Sequence, residues 1–383
     1  MKQLREWLDM SVIDIRHIQC LNYRSSQAIC SRCVDSCPTK ALEIRERSVT
    51  LSEKKCNDCT ACVAACPTMA IEYTPKPYSK IINEISAYPQ VNITCNAFEK
   101  LQKGIKIPCY RNIDPAMIAH WAAVNRKRQD GDDLYVLNFY TGECRTCKYH
   151  SSFDIHQHID ALGRWCSKVG LPVKIQTTDN PESFLGKEDD VVAGVTRRSL
   201  FKNLSLRRTA SPEQETNVIE ADALTFSQRN NYKRLKIKQA MGMFKREITN
   251  TKRDTHRPLP KQEFSMLTMQ GSCDKCDVCA TICPTKALLW EAKDNHAVLM
   301  FDPQKCIACR RCEICPQQSL KVKEISVAEY YDDTLVKIVE LPVQKCSDCG
   351  SVFYSDNAEN SAEAICQLCK IKEEKTQALL DSL

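Results

Sequence analysis

Glycine and aromatic residues are scarce in this chain, and several cofactor-binding motifs are missing from it. Only 10 of its 383 residues are glycine, and aromatic residues make up 7%. It has no glycine fingerprint for dinucleotides, no phosphate-binding loop, no nucleophile elbow and no C-x3-C-x2-C motif. Because close approach of the backbone to a nucleotide phosphate depends on glycine, the composition argues against a bound nucleotide cofactor.

Long apolar segments are also missing. No run of residues approaches the roughly eighteen apolar positions that a membrane-spanning helix needs. Residues 1–14 lack the uninterrupted apolar core and the small-residue cleavage site of a secretory signal. We therefore expect no membrane span and a cytoplasmic location.

Cysteine, in contrast, is abundant, with 25 residues in the chain. Most of them lie in C-x2-C steps, which gather sulfur atoms around a metal and are poor geometry for many separate disulfides. We therefore expect reduced thiols that act as metal ligands. A chain of 383 residues accommodates about two to four domains, so the cysteines are expected to be distributed over several modules.

Two stretches of the chain, 20–73 and 273–325, resemble one another. Each contains two cysteine clusters, each cluster closes in Cys-Pro, and short β-prone segments follow. The match extends beyond the cysteines, because the sequence TKAL after Cys37 and its proline recurs after Cys283 and its proline. This internal repeat predicts two copies of one module, at 1–75 and 263–330.

The spacing within each module fits iron–sulfur cubanes. A cubane needs four thiolates; a C-x2-C-x2-C motif supplies three of them, and the cysteine of the following Cys-Pro ligates the neighbouring cluster. In the second module this crossed rule assigns Cys273, Cys276, Cys279 and Cys315 to one cubane, and Cys306, Cys309, Cys312 and Cys283 to the other. The last motif is one residue shorter before Cys315, and we expect a local turn to accommodate the difference.

The first module is less regular, because one of its motifs has glutamine at position 27, where the first thiolate belongs. Cys20 is the nearest substitute, brought in by an enlarged loop. The assignment is therefore Cys20, Cys30, Cys33 and Cys66 for one cubane, and Cys56, Cys59, Cys62 and Cys37 for the other. If Cys20 points away, a three-iron cluster or a labile site is expected instead.

These motifs resemble the bacterial-type two-cluster [4Fe-4S] ferredoxin family, twice over, across somewhat more than a quarter of the chain. The resemblance implies one-electron transfer at low potential, with potentials set by hydrogen bonds to sulfur and by exposure. Zinc in the same sites is the alternative, since C-x2-C steps also form zinc knuckles, but zinc ribbons rarely add a third and fourth cysteine with Cys-Pro.

Residues 90–180 have a different pattern. Four β-branched or aromatic runs, at 91–97, 106–110, 134–140 and 172–178, predict strands. Helical spacing predicts one helix from Asp114-Pro115 to about Arg126, and another over 153–169 with Gly170 as its stop. Alternating strands and helices indicate a small α/β domain with a mainly parallel sheet.

Four more cysteines lie where these predicted strands end, the edge at which an open α/β sheet gathers ligands. They are Cys95, Cys109, Cys144 and Cys147. The run from Cys109 through IDP at 113–115 to the pair Cys144 and Cys147 resembles the iron–sulfur delta subunit of methyl-viologen-reducing hydrogenase. That resemblance implies a further cluster, [2Fe-2S] in that family, which passes electrons between partner subunits. Because a lone Cys95 stands where the family has a denser cysteine run, [2Fe-2S], [4Fe-4S] and zinc remain alternatives.

Residues 190–262 form a basic connector. Between 196 and 262 there are 16 Lys and Arg against 6 Asp and Glu. One apolar helical face in it consists of Ile237, Met241, Phe244 and Ile248. A basic amphipathic helix of this kind packs on a neighbouring module, or binds an acidic partner, a membrane surface or nucleic acid.

The last four cysteines form two C-x2-C pairs separated by 16 residues, and they are Cys346, Cys349, Cys366 and Cys369. This spacing, within 340–375, is typical of a zinc ribbon and predicts a structural zinc site. A fifth cubane is the alternative, although no Cys-Pro follows.

Together these features predict an α+β multi-domain protein in which two ferredoxin-like modules flank a small α/β domain and a C-terminal zinc ribbon follows. The expected cofactors are four [4Fe-4S] clusters, one further iron–sulfur cluster and zinc. The expected role is a non-catalytic electron-transfer subunit or adaptor that serves a partner oxidoreductase or hydrogenase-like protein. The alternatives are a reductase that acts on substrate at an open cluster, and a redox-sensing nucleic-acid-binding protein.

Overall fold

The computed structural model describes residues 12–23, 30–98, 104–126, 135–147, 154–181, 184, 225–250, 255–293, 295–332, 335–355 and 364–381. They form two compact units, one containing the described residues up to 250 and the other containing those from 255 onward. The part of the predicted connector at 190–224 lies outside the described residues. Within these described ranges, no helix is both long enough and apolar enough to cross a bilayer.

The first unit begins with short strands around two short helices. Its elements are β1 (Ile13–Ile15), α1 (Arg32–Asp35), β2 (Leu42–Arg45), β3 (Ser48–Leu51), α2 (Ala61–Ala65) and β4 (Ile71–Tyr73). β1 pairs antiparallel with β4, and β2 pairs antiparallel with β3. Glu46 and Arg47 join β2 to β3 with φ of 48° and 70°, the conformation that a two-residue hairpin turn requires. Each short helix ends just before a Cys-Pro.

A four-stranded sheet follows in the same unit. Its elements are α3 (Tyr78–Ile85), β5 (Gln90–Cys95), β6 (Ile105–Ile107), α4 (Pro115–Arg126), β7 (Tyr135–Tyr140), α5 (Ile155–Val169) and β8 (Val173–Thr178). The strand order is β6-β5-β7-β8 and every pair is parallel, so the predicted strands and their parallel pairing are confirmed. The order reverses between β5 and β7, and their carboxyl ends form the crevice in which such sheets bind ligands.

Capping residues fix where the helices of this sheet begin and end. α4 starts after Asp114, whose carboxylate accepts a hydrogen bond from the Met117 backbone N–H at 2.9 Å, as the sequence predicts. α5 starts two residues later than predicted, because Asp154 caps it by accepting from the His156 N–H. It ends at Gly170, which has φ of 83°, the left-handed conformation that glycine tolerates.

The described part of the connector is helical and packs inside the first unit. It forms α6 (Phe226–Met243) and α7 (Lys245–Asn250), and α6 lies against α4. The four apolar residues predicted to share one face are all buried: Ile237, Met241, Phe244 and Ile248. Three basic side chains of α6 are also buried: Arg229, Lys233 and Arg234. Of the roles considered for this helix, packing on a neighbouring module is therefore the one that the structure shows.

The second unit repeats the plan of the first module and extends it. Its elements are β9 (Met266–Met269), α8 (Val278–Thr281), β10 (Leu288–Lys293), β11 (His296–Phe301), β12 (Leu320–Lys323), α9 (Val327–Tyr331), β13 (Val336–Lys345), β14 (Val352–Tyr354) and α10 (Gln367–Leu380). β9 pairs with β12, and β10 with β11. β13 adds to β11 and β14 adds to β13, which makes a four-stranded antiparallel sheet.

Candidate metal centres

In the first unit, Cys20 lies with the three thiols to which the sequence assigns it. The pKa of Cys33 is raised to about 12, mainly by burial and further by Cys66, Cys30 and Cys20. The pKa of Cys30 is raised by burial, and Cys66 and Cys20 add to the shift. Such mutual electrostatic interaction requires the four sulfurs to be near one another. They meet as one group, while ligation of a cluster by them stays a prediction.

Asn22 explains how the enlarged loop before Cys30 brings Cys20 into this group. Its side chain donates to the Cys30 carbonyl at 2.8 Å and accepts from the Cys30 N–H at 2.9 Å. Asn22 is fully buried, so this clamp lies inside the module. The Thr68 hydroxyl also donates to the carbonyl of Gln19, the residue before Cys20, at 2.9 Å. No sequence motif indicated this role, because an isolated asparagine belongs to no cysteine motif.

The other predicted group of the first module also comes together. Burial raises the pKa of Cys62 well above its usual value, and Cys59, Cys56, Cys33 and Cys37 add to the shift. Cys33 belongs to the Cys20 group, so the two groups of the module are neighbours. At Cys37 burial raises the pKa, but hydrogen bonds from Ala41 and Thr39 outweigh it, and the net pKa is lowered.

The Cys-Pro turns direct hydrogen bonds at their sulfurs. In three of them the backbone N–H four residues after the cysteine donates to Sγ at 3.2 Å, and a threonine hydroxyl lies 3.7 Å from the same sulfur. The cysteines concerned are Cys37, Cys66 and Cys283. In all four turns the third residue after the cysteine is left-handed: Lys40, Met69, Lys286 and Gln318. Hydrogen bonds to sulfur are one of the means by which proteins set cluster potentials.

The three motifs that contain a full C-x2-C-x2-C run place non-glycine residues in left-handed conformations between their cysteines. The residues are Asp58, Thr60, Lys275, Asp277, Ala308 and Arg310, with φ between 50° and 60°. Each such residue costs about 1–2 kcal/mol in an isolated chain. Backbone strain of this kind persists where surrounding structure or function requires it. These loops therefore have the strained geometry expected of ligand-binding loops, although they contain no glycine.

In the second unit, the predicted crossed groups form again. Burial raises the pKa of Cys279 to about 12, and Cys273, Cys276 and Cys315 contribute. Burial raises the pKa of Cys312 strongly, with contributions from Cys306, Cys309 and Cys283. The latter four thiols line one cavity whose wall is otherwise largely apolar, including Leu267, Phe301 and Val322. Four thiols in an apolar setting are the donor set that an iron–sulfur cluster requires.

The last motif is one residue shorter than the others, and a tighter turn accommodates the shorter spacing. Where the complete motifs have α2 and α8, this one has a 3₁₀ turn at Arg311–Ile314. The Cys315 N–H donates to the carbonyl of Cys312, the third cysteine of its motif, three residues back. In the complete motifs the last cysteine lies four residues after the third one, and the Cys66 N–H donates to the Cys62 carbonyl. A 3₁₀ turn needs one residue fewer per hydrogen-bonded loop, so Cys315 reaches the Cys279 group despite the shorter spacing.

The central cysteines meet at the carboxyl edge of the parallel sheet. Cys95 ends β5, Cys109 follows β6 by two residues, and Cys144 and Cys147 follow β7. The pKa of Cys109 is raised to about 11, mainly by burial, with Cys95 and Cys147 adding to the shift. The pKa of Cys144 is also raised, by burial and by the other three thiols. The four predicted site residues are thus brought together.

Tyr110 holds the strand ends around the central site. Its buried hydroxyl donates to the carbonyl of Tyr140, the last residue of β7, and lies 3.3 Å from the Ile93 carbonyl on β5. Burial raises its pKa strongly, and the nearby thiols add to the shift. Cys166 is not part of this site. It is buried in α5, and burial raises its pKa to about 12, as expected of a free core thiol.

The C-terminal thiols form a tighter group than the others. The Sγ atoms of Cys346, Cys349, Cys366 and Cys369 all lie within 4.8 Å of one another. Gly350, with φ of 71°, closes the first knuckle, and the Cys366 N–H donates to Cys346 Sγ at 3.3 Å. Hydrogen bonds from backbone N–H groups lower the pKa of Cys346 to about 6. Such a group can bind one metal ion.

Two buried basic residues of α6 contact the first module, and one of them, Lys233, also contacts Asp114 at the start of α4. Lys233 Nζ donates to the carbonyls of Val63 and Ala64 at 2.7 and 2.8 Å, and pairs with Asp114 at 2.8 Å. Arg229 pairs with Glu72 on β4 at 3.4 Å. All of these ionic side chains are buried. Nothing in the local sequence distinguishes these two from the other basic residues of the connector.

Comparisons with known proteins agree with part of this account. The model of the 4Fe-4S dicluster domain family matches residues 29–70, a range that includes seven of the eight assigned cysteines of the first module but not Cys20. NADH-quinone oxidoreductase subunit I 2 of Geobacter metallireducens is 29% identical over 117 residues, which cover 27% of this chain and 88% of that protein. No solved structure matches the chain significantly. The chain therefore contains a ferredoxin-type 4Fe-4S domain.

Proposed function

We propose that this chain is a multi-cluster electron-transfer protein, acting as a subunit or adaptor that relays electrons to or from a partner oxidoreductase. The observation that carries the proposal is the crossed grouping of thiols, which recurs in both units. In each of four groups, the Cys-Pro cysteine of one motif lies near three thiols of the other motif. These Cys-Pro cysteines are Cys66, Cys37, Cys315 and Cys283. Two independent copies of this arrangement fit two pairs of cubanes better than isolated zinc knuckles.

In this proposal the four crossed groups each hold a [4Fe-4S] cluster, and the central group holds a further iron–sulfur cluster. Iron–sulfur clusters supply one-electron transfer when bound. The chain itself contributes thiolates, N–H and hydroxyl groups directed at sulfur, and apolar walls. The matched domain family and the name of the Geobacter relative support the role of an oxidoreductase subunit. Reduced thiol ligands favour a cytoplasmic location.

We propose zinc for the C-terminal group. Zn–S bonds of about 2.3 Å in a tetrahedron separate the sulfurs by about 3.8 Å. The Sγ atoms of Cys349 and Cys366 are 3.7 Å apart, which agrees with that geometry. The two other roles considered lack a supporting observation. Cys20 lies with Cys30, Cys33 and Cys66, which favours a fully ligated cluster over an open site, and three basic side chains of the described helix α6 are buried: Arg229, Lys233 and Arg234.

The test is a reductive titration of the anaerobically purified protein with a one-electron reductant, followed by visible absorbance and EPR. Five clusters that each accept one electron predict uptake of about five equivalents per chain. Mixing with the partner oxidoreductase should then transfer electrons between the two proteins, either from the reduced chain or from the reduced partner. Uptake of no electrons, in protein that contains its iron, would refute a role in electron transfer. Turnover of substrate by the isolated chain would favour the reductase alternative.

A further inference from the structure

The second thiol group of the first module and the central group meet at one buried seam. Thr60 follows Cys59, and Asn112 lies three residues after Cys109. The Asn112 side chain donates to the Thr60 hydroxyl at 2.9 Å, and that hydroxyl donates to the Cys59 carbonyl at 2.7 Å. Thr60 is 1% exposed and Asn112 is fully buried. The two groups are therefore linked through a short hydrogen-bonded path from which solvent is excluded.

Further contacts hold this seam in place. The carbonyls of Val63 and Ala64, one turn beyond Thr60, accept hydrogen bonds from Lys233. Lys233 also pairs with Asp114, two residues after Asn112, at 2.8 Å. Because each side of the seam contacts the same buried ammonium group, the distance between the two groups is fixed by the fold.

Arg111 lies at the centre of the seam. It belongs to the 3₁₀ turn Tyr110–Asn112, immediately before the asparagine that contacts Thr60, and it is 5% exposed. The turn contacts α2, the helix that begins two residues after Cys59, and Cys109 lies two residues before Arg111. This buried charge therefore lies in the segment that joins the two groups. A charge in a buried setting acts more strongly than one in water, because the surrounding dielectric constant is low.

We infer that Arg111 is a positioning residue for electron transfer across this seam: its buried positive charge raises the potentials of the second ferredoxin site and of the central site together. The inference rests on the proposed function, because it requires clusters at both sites. A positive charge favours the reduced, more negative form of a centre. Since one guanidinium group acts on both centres, it raises their potentials in parallel and keeps electron exchange between them balanced.

The experiment is an EPR-monitored redox titration of the full-length protein and of two variants. Arg111→Gln removes the charge, and Arg111→Lys keeps it. We expect Arg111→Gln to move the midpoint potentials of both centres to more negative values, and Arg111→Lys to move them less. Arg311→Gln is the matched control, because Arg311 is equally buried and also follows a cysteine, Cys309, by two residues. Arg311→Gln should lower the midpoint potential of a cluster in the second unit and leave the potentials of the second ferredoxin site and the central site unchanged.

The same titration shows how the inference fails. A shift of only one of the two centres in Arg111→Gln, or of neither, would overturn it. The unaltered protein provides a second measurement that does not depend on folding of the variants. When the second ferredoxin site and the central site are both reduced, the EPR signal of the central site should be broadened by spin–spin interaction, and an unbroadened signal from the central site would overturn the proposed seam. Iron and sulfide analysis of the same samples separates this failure from failure of the proposed function, in which the clusters themselves would be missing.

Discussion

Replacing Lys233 by methionine should loosen the seam between the first module and the central sheet. The ammonium group of Lys233 pairs with Asp114 at 2.8 Å and donates to two carbonyls, and the ion-pair side chains are 8% and 6% exposed. Methionine fills a similar volume but leaves the Asp114 carboxylate buried without its counter-ion. Removal of one partner of a buried ion pair costs about 3–5 kcal/mol.

The remaining contacts of Asp114 place the expected cost at the lower end of this range. Its carboxylate still accepts hydrogen bonds from the Tyr78 hydroxyl at 2.8 Å and from the Met117 N–H at 2.9 Å. We therefore expect a loss of about 3 kcal/mol, which corresponds to about 150-fold faster opening of the local structure. The loss should be confined to the seam and α4, because local opening can occur without global unfolding.

Hydrogen exchange followed by mass spectrometry measures this local opening directly. Peptides that cover residues 110–126 should exchange about 150-fold faster in Lys233→Met. Lys238→Met is the matched control on the same helix, since Lys238 is only half-buried, and it should change exchange by no more than about twofold. The double variant Lys233→Met with Asp114→Asn should be less destabilised than Lys233→Met alone, because the buried carboxylate that lost its counter-ion is also removed. Acceleration of less than about threefold in Lys233→Met would refute the reasoning.

Three further predictions concern the metal sites. Cys20→Ser and Cys66→Ser should both alter the EPR signal of the same cluster, and Cys37→Ser should alter the signal of the other cluster of the first module. If Cys20→Ser and Cys66→Ser altered different signals, crossed ligation would be contradicted. Asn22→Ala should lower the stability of the protein by about 1–3 kcal/mol. In air it should also speed the bleaching of the cluster that Cys20→Ser affects, and bleaching at the normal rate would argue against the clamp. Cys366→Ser should abolish bound zinc while iron content stays constant, and a parallel loss of iron would indicate a fifth cubane instead.

Sequence alone predicted the features that depend on neighbouring residues. The two thiol groups of the second module follow from C-x2-C spacing and the crossed rule, which require no knowledge of the rest of the fold. The start of α4 follows from Asp114 and Pro115, and the end of α5 from Gly170, because capping is a local property. The parallel sheet follows from the alternation of strand and helix patterns, and the central cysteines were expected at its carboxyl edge.

The features that sequence did not predict depend on contacts between distant parts of the chain. Lys233 contacts Val63 and Ala64, which are about 170 positions away. Its charge marks it as one of many surface residues of a basic connector, and only the fold shows that it is buried. Asn22 and Arg111 are similar cases, since each acts through backbone or side-chain contacts that no motif encodes. The 3₁₀ turn at Arg311–Ile314 was expected only as an unspecified local adjustment.

The central claim is the inventory of clusters, and iron, sulfide and zinc analysis after anaerobic purification tests it most directly. Four cubanes and one further cluster predict about 18 to 20 iron atoms, a matching amount of sulfide, and about one zinc per chain. A fully reconstituted sample with fewer than about 10 iron atoms per chain would contradict the claim of four cubanes.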